Sequence, residues 1–99
     1  MDAAQGIGKL SVDVKDYNID LMSLSAHKIY GPKGIGALFI DKESVGRIDP
    51  IFSGGGQERA LRPGTLATHQ IIGMARAYEI AKDKMADDYD HLVACRKVF

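Results

Sequence analysis

The order of apolar and polar residues along the first half of the chain predicts two short strands joined by a turn. Residues 17–25, YNIDLMSLS, alternate between two faces in the manner of a strand. Residues 35–40, IGALFI, form a continuous apolar run, which is typical of a strand buried on both faces. The segment between them, 31–34 or GPKG, is predicted to be a turn, because Pro32 fixes φ and glycine permits positive φ.

The second half of the chain is predicted to contain a long loop and one long helix. Residues 41–50 are polar and break regular structure, and residues 53–65, SGGGQERALRPGT, have the composition of a loop. A helical pattern runs over 68–99, and Thr68, or Thr65 before it, could supply its N-cap. Apolar residues recur every seven positions of this predicted helix and form a stripe: Ile71, Tyr78, Met85, Leu92 and Phe99.

The predicted helix is too long for the rest of the chain to cover. At 1.5 Å per residue it would extend about 48 Å. The other residues would form a body only about 25 Å across, judged from the size of compact domains. Much of the apolar stripe would then have no partner. We therefore expect that the chain is a piece of a larger protein or that another subunit covers the stripe.

Composition and charge exclude several classes of function. Thirteen basic residues balance thirteen acidic ones, so no attraction for nucleic acid or for an anionic membrane is expected. The longest apolar runs are too short to cross a bilayer, and no secretory signal opens the chain. The single cysteine, Cys95, cannot form an internal disulfide, which favours a reducing compartment such as the cytosol. No metal site is predicted.

Lys28 is the candidate for chemistry, because it follows the first strand and precedes the glycine-rich turn. Lysines are mostly exposed, so a surface lysine is one interpretation. The alternative is a lysine that forms a Schiff base with a carbonyl cofactor, with Ser25, His27 and backbone N–H groups donating to a phosphate. Residues 25–28 also fit the Ser-x-x-Lys pattern of penicillin-binding enzymes, but the Ser-Asp-Asn and Lys-Thr-Gly partner motifs do not occur. GPKGIG is neither a dinucleotide-binding nor a Walker A loop.

Three segments in this order and spacing resemble the central part of class I cysteine desulfurases: DAAQGIGKLSVDV (2–14), IDLMSLSAHKIYGPKGIGALFI (19–40) and GGGQERALRPGT (54–65). These are fold-type I enzymes that use pyridoxal 5'-phosphate (PLP) and supply sulfur for iron–sulfur clusters. The resemblance covers almost all of this chain but only a middle portion of a family member. The wider superfamily also contains selenocysteine lyases and aminotransferases, and these remain alternatives.

The resemblance implies an α/β fold with a mostly parallel sheet and helices on both faces. The strand at 35–40 would run antiparallel at the edge of that sheet. Residues 1–67 would belong to the large PLP-binding domain. The helix at 68–99 would lead towards a smaller domain.

The resemblance also assigns residues to the cofactor's ring. Lys28 would hold PLP covalently, Asp2 would lie against the pyridine nitrogen, and Gln5 would hydrogen-bond the phenolic oxygen. A carboxylate at position 2 makes physical sense, because PLP accepts electrons well only while its ring nitrogen is protonated.

A second group of residues would bind the cofactor's phosphate. Ser25 and His27 would donate to it, and Thr65 would reach the phosphate held by the other subunit of a homodimer. Arg59 and Arg62 would lie near that dimer-facing mouth. Hydroxyl, imidazole and backbone N–H donors suit a phosphate group, which carries a charge near −2.

The implied reaction converts L-cysteine to L-alanine. Lys28 would remove the Cα proton, and a cysteine thiolate would attack the substrate sulfur to become a persulfide. The sulfur would pass to an iron–sulfur scaffold or another acceptor protein, in the cytoplasm or, in a eukaryote, in the mitochondrial matrix. A truncated chain that is not catalytic and at most binds PLP weakly is the other alternative.

Several positions depart from the family pattern. The nucleophilic cysteine would lie on a loop after this segment, and Cys95 is interpreted as an inert core residue. The upstream ring-stacking histidine and phosphate loop are absent, so the 99 residues alone are expected to be inactive.

Asp2 beside Met1 suggests that an intact enzyme would not start there. His69 and His91 are read as surface or capping residues, Ala26 and Ala60 replace a common glycine, and Pro63 replaces a common serine.

Overall fold

The computed structural model describes residues 1–98, and Phe99, the last predicted member of the apolar stripe, lies outside them. Strand β1, Leu21–Ser25, pairs antiparallel with strand β2, Gly36–Ile40, and Ser23 lies opposite Leu38. One long helix, α1, covers Thr68–Arg96. Short 3-10 helices cover Ala26–Ile29, Val45–Arg47 and Gln57–Ala60.

The other edge of β1 pairs with the first residues of the chain in the parallel direction. The Ala3 N–H donates to the Ser23 carbonyl at 3.0 Å, and the Ser23 N–H donates to the Met1 carbonyl at 3.1 Å. Strand β1 therefore has a parallel neighbour on one side and an antiparallel one on the other. This arrangement agrees with the predicted α/β class, in which residues 35–40 form an antiparallel edge strand.

The first predicted strand is shorter than expected, because its N-terminal half is a turn. The Asp13 side chain accepts hydrogen bonds from the N–H groups of Lys15 and Asp16, at 2.8 and 3.3 Å. Asn18 then adopts a left-handed φ of 49°. Extended backbone begins only at Leu21, because the N–H groups of residues 17–19 also donate to carbonyls of residues 13–15, in a turn and not in a sheet ladder.

The prediction that residues 35–40 are buried on both faces is wrong for the part of the chain that the structure describes. Gly36, Ala37 and Leu38 are exposed, whereas Phe39 and Ile40 are half-buried. The physical reason is that β1 is the only strand paired with β2 in residues 1–98. Residues 1–98 therefore leave part of the apolar surface of β2 exposed.

The core is small, and α1 contacts it through a row of small residues. Within residues 1–98, five apolar side chains are buried: Ala3, Ile7, Met22, Ala26 and Ile29. Gly73, Ala77 and Ala81 lie four residues apart on α1, so they share one face. A Cβ atom at Gly31 would come within 3.2 Å of the Ala77 Cβ, and one at Gly8 within 2.8 Å of the Ala81 Cβ. The backbone of the first half thus approaches this face closely.

The predicted apolar stripe forms only a part of the packed face of α1. Met85 of the stripe is half-buried, as are Met74 and Ala81, which lie on the same side of the predicted helix. Ile71, Tyr78 and Leu92 are 38%, 43% and 57% exposed. The chain measures 52 Å along its longest axis, and its radius of gyration is 15.9 Å, above the roughly 13 Å of a compact domain of this size. Much of the stripe therefore lacks a partner among residues 1–98, as the length of the helix predicted.

The predicted N-caps of α1 are wrong, because neither Thr65 nor Thr68 caps it. Ala67 occupies the N-cap position, where no side-chain cap bond exists. Its carbonyl accepts hydrogen bonds from the N–H groups of Gln70 and Ile71, both at 3.0 Å. Thr68 is already the first helical residue, one position too late to act as the cap.

The predicted loop at 53–65 folds back on itself. A Cβ at Gly54 would come within 2.5 Å of the Pro63 Cβ, and the Gly64 N–H donates to the Gln57 side-chain oxygen at 3.1 Å. Three consecutive residues in its short 3-10 helix have positive φ: Glu58 at 48°, Arg59 at 58° and Ala60 at 61°.

Candidate cofactor site

The Asp2 carboxylate is attached to the middle of β1. Its Oδ1 atom accepts a hydrogen bond from the Ser23 hydroxyl at 2.8 Å and another from the Ala4 N–H at 2.9 Å. The isolated parallel bridge between Asp2 and Ser23 aligns the two backbones at the same point. Sheet pairing therefore determines where the first predicted site residue lies.

These two donors favour the ionised form of Asp2. The Ala4 N–H and then the Ser23 hydroxyl lower the pKa of the Asp2 carboxyl below its ordinary value of 3.8. The carboxyl group is exposed, so desolvation opposes this effect only weakly. Position 2 thus presents a stable negative charge, as a partner of a protonated ring nitrogen must.

Ser25 and His27 form a second polar pair at the end of β1. The Ser25 Oγ lies 3.0 Å from the His27 Nδ1. Side chains at 23 and 25 lie on the same face of a strand, about 7 Å apart at two strand rises. The Asp2–Ser23 pair and the Ser25–His27 pair are therefore neighbours along one face of β1.

Lys28 lies in the 3-10 helix Ala26–Ile29 that directly follows β1. It is half-buried, between the buried side chains of Ala26 and Ile29 in sequence. Its side chain lines a groove of about 400 Å³ against α1, with Tyr30, Lys84 and Asp88 among the other lining residues. Within residues 1–98, no hydrogen bond or ion pair engages the Lys28 amine.

The remaining predicted site residues are exposed, and no hydrogen bond within residues 1–98 connects them to the Asp2–Ser23 or Ser25–His27 pair. Gln5 lies in the turn after Asp2, and Thr65 lies at the end of the 53–65 loop. Arg62 donates to the Pro63 carbonyl at 3.1 Å, so it braces its own loop, whereas Arg59 is exposed with φ in the left-handed region. Among the described residues, no hydrogen bond connects this loop to Asp2 or Lys28.

The interpretation of Cys95 as a core residue is wrong, because its side chain is exposed. The last turns of α1 extend past the small core, which leaves positions there uncovered. The Cys95 Sγ lies 3.6 Å from the Nε2 atom of His91, one turn earlier. His91 and His69 are both exposed, as predicted for surface residues.

Sequence reasoning did not assign a role to Ser23. Its hydroxyl bonds Asp2, which is 21 positions away in the chain. The available signal was its alternation with Ser25, since two polar residues on one face of a buried strand need polar partners. The identity of that partner depended on the parallel pairing of residues 1–3 with β1.

The α/β fold places Lys28 directly after β1 and holds the ionised Asp2 carboxylate beside Ser23. The aminotransferase class-V family profile matches residues 1–93, and the chain belongs to this family. It is 55% identical over 97 residues to the cysteine desulfurase IscS of Vibrio atlanticus, strain LGP32. It is 57% identical over 91 residues to a probable mitochondrial cysteine desulfurase of Schizosaccharomyces pombe.

The chain is also similar to parts of solved structures. A NifS-like protein superposes with a TM-score of 0.89 at 43% identity, over 97% of this chain and 26% of that one. A structure described as SspA in complex with cysteine superposes with a TM-score of 0.75 at 52% identity, over 79% and 22%.

The chain spans only a part of the relatives it matches. The Vibrio comparison covers 98% of this chain but 24% of the relative's length, and the yeast comparison covers 92% and 18%. Among the described residues, α1 included, there is no helix both long enough and apolar enough to cross a membrane.

Proposed function

We propose that this chain forms the central cofactor-binding segment of a PLP-dependent cysteine desulfurase. The observation that carries the proposal is the order of groups along β1 and the 3-10 helix after it: the Asp2 carboxylate at Ser23, then the Ser25–His27 pair, then Lys28. The whole protein would be a homodimer that converts L-cysteine to L-alanine. It would pass the sulfur to an iron–sulfur scaffold or another acceptor protein, in the cytoplasm or the mitochondrial matrix.

The chemistry of these side chains fits PLP. The cofactor has a basic ring nitrogen, an aldehyde and a phosphate, and each of these needs a different partner. A carboxylate held ionised by two donors suits the protonated nitrogen. A hydroxyl–imidazole pair suits the phosphate, and a primary amine suits the aldehyde. When bound, PLP supplies an electron sink for the charge that develops at the substrate's Cα.

Lys28 would have two tasks. Its Nζ would hold the cofactor and, once the substrate has displaced it, would take the proton from Cα. Its place in a 3-10 helix anchored by the buried Ala26 and Ile29 would fix the start of its flexible side chain. The rest of the side chain could then swing between the cofactor and the substrate.

The Ser25–His27 pair would leave a donor for the phosphate in either tautomer. If the Ser25 hydroxyl donates to Nδ1, the Nε2–H group of His27 faces outward. If Nδ1–H donates to Ser25, the hydroxyl hydrogen is left for the phosphate. Gln5 would bind the phenolic oxygen, and Thr65 would bind the phosphate of the other subunit, a task that its exposed loop position allows.

Two measurements test the proposal. Purified chain is mixed with PLP and treated with borohydride, which turns a lysine–PLP bond into a stable amine, and the labelled residue is located by mass spectrometry. We expect the label on Lys28, its loss in Lys28→Arg and its retention in Lys33→Arg, a matched change five residues away. Equal labelling of Lys28 and Lys33 would contradict the assignment.

The second measurement places the 97 matching residues of this chain in the Vibrio atlanticus relative, in place of the segment they match. With an added dithiol that reduces the enzyme persulfide to sulfide, we expect this chimera to release alanine and sulfide from L-cysteine, and we expect the 99-residue chain alone to release neither. A folded chimera that binds PLP but acts only on selenocysteine, or only transfers amino groups, would favour the other members of the superfamily.

A further inference from the structure

The two oxygens of the Asp2 carboxylate have different surroundings. Oδ1 accepts both hydrogen bonds, from the Ser23 hydroxyl at 2.8 Å and from the Ala4 N–H at 2.9 Å. Within residues 1–98, no donor lies on Oδ2. One oxygen is therefore anchored to the protein, and the other is available to a ligand.

We propose that Ser23 is a positioning residue that orients the Asp2 carboxylate so that Oδ2 faces the ring nitrogen of the cofactor. This inference rests on the proposed function, because it assumes that PLP is the ligand. Ser23 would not touch the cofactor itself. It would act through Asp2, by fixing the carboxylate torsion and by keeping the group ionised.

The Ser23 hydroxyl is not needed to pair the Asp2 backbone with β1. Two backbone bonds, from Ala3 N–H to Ser23 carbonyl and from Ser23 N–H to Met1 carbonyl, fix the position of the Asp2 backbone without the hydroxyl. The hydroxyl therefore adds control of the side chain alone. Because a hydrogen bond to the charged form favours that form, removing the hydroxyl should make Asp2 easier to protonate.

Ser23→Ala and Ser23→Thr separate the hydroxyl from the rest of the side chain. The carboxyl resonance of Asp2 is titrated by NMR in the 99-residue chain, free of PLP, with Ser53→Ala as an exposed control. We expect the pKa of Asp2 to rise towards 3.8 in Ser23→Ala and to stay at the original value in Ser23→Thr and Ser53→Ala. An unchanged Asp2 pKa in Ser23→Ala would overturn the proposal.

The same variants in the Vibrio chimera test the link to the cofactor. We expect Ser23→Ala to weaken PLP binding roughly tenfold, which is typical of a lost hydrogen bond to a charged group, and to move the pH dependence of the PLP absorption band. Ser23→Thr should restore both. If Ser23→Ala binds PLP as tightly as the unaltered chimera and its absorption band keeps the same pH dependence, the proposal is overturned. This result decides the proposal even where the isolated chain gives no usable NMR spectrum.

Failure of the proposed function would look different. If the unaltered chimera folds but does not bind PLP, the cofactor assignment is wrong, and the positioning role falls with it. The titration of Asp2 would still show whether Ser23 controls the carboxylate. A normal chimera with an indifferent Ser23 would leave the proposed function intact and reject only the positioning role.

Discussion

Gly73 of α1 lies so close to Pro32 that a Cβ atom at position 73 would come within 2.7 Å of the Pro32 Cγ. The Gln70 side chain, one turn earlier, donates to the Lys33 carbonyl at 3.0 Å. The turn after Lys28 is thus held against the first turns of α1 by a close approach and a hydrogen bond. These contacts fix the position of the turn that follows Lys28 relative to α1.

Replacing Gly73 with alanine should destabilise the chain despite a better helix propensity. Alanine favours a helix over glycine by about 1 kcal/mol, whereas overpacking costs about 1–3 kcal/mol. Because the neighbouring Cγ and Cδ atoms belong to the rigid Pro32 ring, we expect a net loss of about 1 kcal/mol in the free energy of unfolding, measured in urea.

The control for this prediction is the same substitution in a Pro32→Ala background. There the clash is absent, so Gly73→Ala should stabilise the helix by up to about 1 kcal/mol. Gly46→Ala, at a site with no neighbour within 4 Å, controls for the general effect of removing a glycine. A Gly73→Ala change with the same sign in both backgrounds would show that the contact with Pro32 is not the cause.

Replacing Ala60 with glycine should stabilise the chain. Ala60 has φ 61°, and the left-handed region costs a residue with a Cβ about 1–2 kcal/mol. Glycine gives back about 0.4–1 kcal/mol through the entropy of the unfolded chain. We expect a net gain of about 0.5–1 kcal/mol in urea unfolding. Ala67→Gly, at φ −78°, should instead lose stability, and equal losses at both sites would contradict the left-handed assignment.

The stability contributed by Asp2 should disappear in acid. Its pKa is lowered by the Ala4 N–H and the Ser23 hydroxyl, so the folded state prefers the ionised carboxyl. The contribution is therefore complete well above 3.8 and is lost as pH falls through the lower folded-state pKa. We expect Asp2→Asn to be less stable than the original chain at neutral pH, with a difference that shrinks below 3.8.

This prediction is checked by thermal unfolding of both proteins from neutral pH downwards. Asp49→Asn is the matched control for the loss of a carboxylate, since the Asp49 side chain accepts no hydrogen bond within residues 1–98. A constant difference between Asp2→Asn and the original chain across the whole range would show that the charge of Asp2 does not contribute.

Local patterns were sufficient to predict β2, the 31–34 turn and α1. The N-terminal half of the first predicted strand failed, because the N–H groups of Tyr17, Asn18 and Ile19 donate to carbonyls of residues 13–15 and not to a neighbouring strand. The sequence indicated the packed face of α1 only in part, since Met85 of the predicted stripe is half-buried. The closest approaches occur at Gly73, Ala77 and Ala81, and small residues give no hydrophobic signal although they allow such contacts.

In the candidate site too, some residues could be placed from local sequence and others could not. Ser25, His27 and Lys28 are neighbours in sequence, so their proximity follows from one strand end and one 3-10 turn. Asp2 reaches the neighbouring position Ser23 only through parallel pairing with β1, which no local pattern encodes. The resemblance of the sequence segments supplied that connection, and the hydrogen bond to Ser23 gives it a physical basis.

Removing the Ser25 hydroxyl should lower the preference of the site for PLP over pyridoxal, which lacks the phosphate. In the Vibrio chimera we expect Ser25→Ala to weaken PLP binding roughly tenfold and to leave pyridoxal binding nearly unchanged, because a donor to a charged group is lost. His27→Ala should act similarly, and the double variant should lose less than the sum, since the two side chains bond each other at 3.0 Å. Binding is measured by absorption titration, with Ser53→Ala as the exposed control. Equal weakening of PLP and pyridoxal in Ser25→Ala would show that Ser25 shapes the site without binding the phosphate.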